Sequence, residues 1–84
     1  MYFYMNERPE IFTEDGQVMF LKIRDNVKNL IKLAGAVSMG NAIQGASCGS
    51  SWTMMACVDR LVELKEIREI TKSGSVIGQD RIFV

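Results

Sequence analysis

Histidine is missing from this sequence. With it goes the commonest general base that works near neutral pH. The carboxylates Glu7, Glu10, Asp25 and Asp80 show no spacing that suggests a paired acid and base. Cysteine is scarce: Cys48 stands in a Gly/Ser stretch and Cys57 in an apolar helical pattern. Two cysteines without histidine cannot close an ordinary zinc site. The plain reading is reduced thiols in a reducing compartment. Cys48 could act as a nucleophile only with a base that the sequence does not evidently supply. The stretch around Gly49 lacks the GKS/T ending of a phosphate-binding loop. The expectation is a non-catalytic protein with no metal and no cofactor.

Net charge is absent too, because ten basic and ten acidic residues cancel. The chain as a whole has no electrostatic reason to seek a polyanion, so nucleic-acid binding would need charge segregated onto one face. No stretch approaches the ~20 apolar residues that span a bilayer. The opening Met1-Tyr2-Phe3-Tyr4-Met5 lacks a basic region and is too short for a signal peptide. These absences predict a cytoplasmic protein without a membrane partner. Met5 is an alternative start to Met1.

What is present is a core: 48% of the residues are hydrophobic. A chain of this size makes one domain. Residues 1–12 hold the sole proline, Pro9, and four aromatics without a helical period, which predicts an extended arm. Thr13 then reads as an N-cap, with Glu14 and Asp15 in a first turn where the helix dipole favours them. Phe20, Ile23, Val27, Leu30, Ile31 and Ala34 follow at three- and four-residue steps, and Gly35 suits the left-handed stop. Gly16 is out of place in a first turn. Ala36-Val37 reads as a very short strand. Ser38 caps a second helix that stops at Gly45. A third helix begins after Ser50 or Ser51, puts Met54, Cys57, Val58, Leu61 and Val62 on one side, and ends near Leu64 or Lys65. The end reads as a hairpin. Residues 67–72 and 79–84 are its arms, Ser73-Gly74-Ser75 its turn, and Gly78 a bulge.

Helix, short strand, helix, turn, helix, hairpin is the order of a winged helix-turn-helix. Thr53-Met54, Val58, Leu61 and Ile67, followed by Arg68-Glu69-Ile70, resemble the recognition helix of that family and its exit into the first wing strand. The sequence departs from the pattern at Lys65, where many members have Gly, and at Ala56, where many DNA binders have Arg. The resemblance implies an α+β fold over residues 13–84: three helices and a C-terminal β-hairpin wing. Ile70, Ile82 and Val84 would close the open side of the core.

The resemblance also implies double-stranded DNA as partner, as in small bacterial or phage-type regulators. Ser51, Thr53, Met55 and Arg60 would meet the major groove, and Lys72 and Arg81 would come from the wing. Arg24, Lys28 and Lys32 step by four along the first predicted helix and could add phosphate contacts, or simply keep the surface soluble. Against DNA stands the chemistry of the outward wheel positions Trp52, Ala56, Asp59 and Glu63. Two carboxylates four residues apart repel phosphates. They are either a solvated face, paired with Lys65, or part of a surface for another protein. Trp52 either packs beneath Cys48 or Ile43 or anchors such a partner. Val18, Leu21 and Leu33 lie off the main stripe. With Tyr2, Phe3 and Tyr4 they could form a homodimer contact, or be covered by the arm of the same chain.

Overall fold

The computed structural model describes residues 1–46, 49–71 and 78–84. It is an α+β arrangement dominated by helices: α1 (Tyr4–Ile11), α2 (Glu14–Ala34), α3 (Met39–Gln44) and α4 (Ser51–Glu63). Two short strands, β1 (Val37–Ser38) and β2 (Ile82–Phe83), complete it, with a 3-10 turn at Gly78–Asp80.

Helix α2 starts and stops where its residues dictate. The Thr13 hydroxyl accepts from the Gly16 N–H, and Gly35 closes the helix at φ 83° with its N–H donating to the Ile31 carbonyl. Ser38 caps α3 in the same way by accepting from the Asn41 N–H. Ile23 and Val27 face fully inward, whereas Phe20, Leu30 and Ile31 are half-buried at the edge of the core.

The segment expected to be an extended arm instead carries α1, a correction with a physical cause. This helix has no side-chain cap and contains Pro9. Eight residues are too few to hold a helix alone. Docking supplies the stability: Ile11 is buried, and Tyr2 and Tyr4 pack against the core. Gly16 makes the joint between α1 and α2 possible, since a Cβ there would sit 1.9 Å from the Glu10 carbonyl oxygen. The Gln17 amide donates to the Ile11 carbonyl at 2.5 Å and helps hold the elbow.

β1 and β2 pair antiparallel, Val37 opposite Phe83 and Ser38 opposite Ile82. On its other side β2 meets the segment around Glu69, which bridges to Phe83. The Arg68 and Val84 amides exchange hydrogen bonds of 2.8 Å with each other's carbonyls, and the Ile70 N–H donates to the Ile82 carbonyl at 2.9 Å. The last strand therefore lies between β1 and residues 68–70. Its inward residue is Phe83, fully buried with Ile67. Ile70 is exposed, and Ile82 and Val84 are only half-buried, so the expected inward set lies one residue out of phase. Gly78 opens the 3-10 turn rather than a bulge, and residues 79–80 belong to that turn. The expected hairpin turn at 73–75 lies outside the described residues. Among the described residues no helix is long and apolar enough to cross a membrane.

Candidate binding surface on helix α4

Helix α4 divides into three zones along its length. Its first turn projects: Ser51 and Trp52 are exposed, Trp52 at 43%, and Thr53 is half-buried. Its middle is enclosed all round, because Met54, Met55, Ala56, Cys57 and Val58 are consecutive and all buried. No amphipathic surface helix buries five residues in a row. The cause is α1, which lies along one side of α4 while α2 and α3 take the others.

This geometry corrects two expectations. Met55 cannot reach a DNA groove and Ala56 cannot touch a protein partner, since both are core residues at 6% and 0% exposure. The wheel placed Ala56 outside because it assumed nothing covered that face. Trp52 does not sink beneath Ile43 but keeps close to half its surface in solvent.

The third zone carries the charged residues, and they are engaged within the chain. The carboxylate of Asp59 accepts from the Tyr2 hydroxyl at 2.6 Å and from the Arg81 guanidinium at 2.7 and 3.2 Å. Arg81 also grips Glu69 at 2.8 and 3.0 Å, and it lies 5.3 Å from the Phe83 ring centre. One turn on, a single oxygen of Glu63 accepts from Arg60 at 2.6 Å, Tyr4 at 2.7 Å and Arg8 at 3.1 Å. Arg8 and Arg60 both lie over the Phe12 ring, at 5.0 and 5.2 Å. Thus Asp59 and Glu63 are not a solvated pair with Lys65, and Arg60 and Arg81 are not available cations. Lys72 lies outside the described residues, as does Cys48.

The titration behaviour follows from these contacts. Hydrogen bonds from Tyr4 and Arg60 hold the Glu63 carboxyl down at about 2. The Arg81 guanidinium lowers the Glu69 carboxyl. Burial, then the bond to Glu63, pushes the Tyr4 phenol up to about 12. Burial and Asp59 raise Tyr2 further still. Such shifts come from structural pairing as readily as from catalysis.

Elsewhere the cations are partly committed. Lys28 pairs with Glu66 at 2.6 Å and Arg24 with its neighbour Asp25 at 3.1 Å, which breaks the basic ridge of α2. Tyr2 and Tyr4 are used within the chain, whereas Phe3, Val18, Leu21 and Leu33 stay exposed. Beside the first turns of α4 lies a cleft of about 600 Å³, framed by α3 and the Gly78–Asp80 turn, with Ile43 and Met54 in its wall. Among the described residues no group of carboxylates and thiols could hold a metal ion. No family model, curated protein or solved structure matches this chain.

Sequence reasoning missed Tyr2, Tyr4, Arg8 and Glu69 as the partners that fix this surface. The signal was faint: Tyr2, Tyr4 and Arg8 must be set against Asp59 and Glu63, and nothing local in the chain announces so distant a match.

Proposed function

We propose that this chain is a non-catalytic winged-helix module that works by binding another protein, with Trp52 as the anchor. The element order and the place of β2 between β1 and residues 68–70 support the winged-helix reading. The carrying observation is the contrast along α4. Its indole is offered to solvent while the cations nearest the expected DNA face, Arg60 and Arg81, are held by carboxylates. An exposed Trp is the residue type most enriched at interface hot spots. The adjoining cleft, lined mainly by Ser38, Asn41, Gln44, Gln79 and Asp80, offers hydrogen-bonding groups to a partner held at the indole.

The test is affinity capture from a lysate with wild-type and Trp52→Ala baits. A partner retained by the wild type and lost at least about tenfold with the variant is the expected result, the size of a ~2 kcal/mol hot spot. An identical partner list from both baits overturns the reading. Because Trp52 is exposed, the variant keeps its fold, checked by circular dichroism.

Duplex DNA is the second reading, and one observation favours it: Ser51 is exposed and Thr53 half-exposed at an N-terminal helix turn, where backbone amides can meet a phosphate. With Met55, Arg60 and Arg81 otherwise engaged, such binding would rest on that turn and Lys72. It would be weak and steeply salt-dependent. Anisotropy with a labelled random duplex at low salt decides it; no signal at high micromolar protein removes DNA.

A further inference from the structure

We propose that the amino terminus braces the base of the carboxy-terminal ribbon through one continuous polar chain, so that the seating of Tyr2 and the position of residues 69–71 are coupled. The chain runs from Tyr2 to Asp59, Arg81, Glu69 and Thr71. Tyr2 donates to Asp59 at 2.6 Å, Arg81 donates to Asp59 and to Glu69, and the Thr71 hydroxyl donates to Glu69 at 2.5 Å. It joins the segment before α1, the charged third zone of α4, the residue before β2 and the segment that bridges to β2. The Arg81, Asp59 and Glu69 side chains are 20%, 12% and 25% exposed, so water screens them only in part.

The coupling follows from how the charges are shared. One guanidinium serves two carboxylates, and every oxygen of both is engaged. Tyr2 supplies the shorter of the two bonds to Asp59 Oδ2, the other being Arg81 Nη1 at 3.2 Å. Without the phenol, Arg81 must satisfy Asp59 by itself and shifts its bonds away from Glu69. Glu69 then loses part of what aligns it opposite Phe83. The neighbouring cluster of Tyr4, Arg8, Arg60 and Glu63 contains no atom of Arg81. Two phenols of one segment thus feed two separate polar groups, and only one of them reaches the ribbon. In the winged-helix reading the ribbon is the wing, and its base would answer to the amino terminus. The coupling itself stands on the contacts alone.

Amide hydrogen exchange on the full chain tests it, with Tyr2→Phe and Tyr4→Phe compared. In Tyr2→Phe the Arg68 and Ile70 amides exchange about three- to tenfold faster relative to the core amides of Ile23 and Val27. The Arg81 Nε–H resonance shifts as well. In Tyr4→Phe the same ratio and resonance stay at their wild-type values. An unchanged ratio in Tyr2→Phe, or an equal rise in both variants, overturns the proposal. Neither result depends on what the chain binds.

Discussion

Lys65 adopts a left-handed backbone, φ 62°, the sole such non-glycine position among the described residues. It closes α4: the Lys65 N–H donates to the Val62 carbonyl and the Glu66 N–H to the Leu61 carbonyl, both at 2.9 Å. This double bond pattern needs a left-handed residue, and an L side chain there costs about 1–2 kcal/mol. Lys65→Gly should therefore raise stability by about 0.5–1 kcal/mol, the gain being trimmed by glycine's greater freedom when unfolded. A urea midpoint at or below the wild-type value would contradict this. The position was marked in advance only by the winged-helix resemblance, in which many members have glycine there. Met55 and Ala56 show the opposite case. Their burial comes from a helix far away in the chain, and no wheel drawn on α4 alone contains it.

Helices α2 and α3 could be read from the chain because their starts carry their own chemistry, Thr13 and Ser38, as does the Gly35 stop of α2. Helix α4 could be read from its apolar pattern instead, since Ser50 precedes it without a side-chain cap bond. Helix α1 could not. Its attachments are mainly the polar tips of Tyr4 and Arg8 together with one buried Ile11, which leave no apolar period. The phase of β2 was hidden for a related reason. Ile82, Phe83 and Val84 are all apolar, so alternation gives no hint of which faces in. The awkward glycine of α2 becomes intelligible at this scale. A methyl at Gly16 would meet the Glu10 carbonyl oxygen at 1.9 Å and the Ile11 carbonyl carbon at 2.8 Å, both backbone atoms that cannot swing aside. Gly16→Ala should cost about 1–3 kcal/mol despite alanine's better helix propensity. Thermal unfolding reads it as a drop of roughly 4–24 °C, from 4–8 °C per kcal/mol for a chain of this length. A rise in the midpoint would show that the elbow is not tight.

For the molecule as a whole, neutrality was visible in the composition, but its distribution was not. Much of the charge is spent in pairs that fasten distant parts of the chain, which is why the surface expected to read DNA is poor in available cations. These pairs set an acid limit. Glu63 and Glu69 titrate below their ordinary values in the folded state, Glu63 at about 2. A lowered carboxyl stabilises above its unfolded value of 4.5 and loses that contribution as pH falls toward 2. The urea midpoint should hold near neutrality and fall between about pH 4.5 and 2, less steeply in Glu63→Gln. A midpoint flat across that window would remove the pairs from any stabilising role. The alkaline side mirrors this: the raised Tyr4 phenol stabilises below 10 and ceases to do so as pH climbs to about 12. The span of these fastenings also bears on biogenesis. Tyr2 and Tyr4 meet carboxylates 57 and 59 residues downstream. At ~5–20 residues per second, the ribosome delivers those carboxylates several seconds after the phenols have emerged. During that interval the leading segment has no site to settle on, so its docking waits for α4 to emerge.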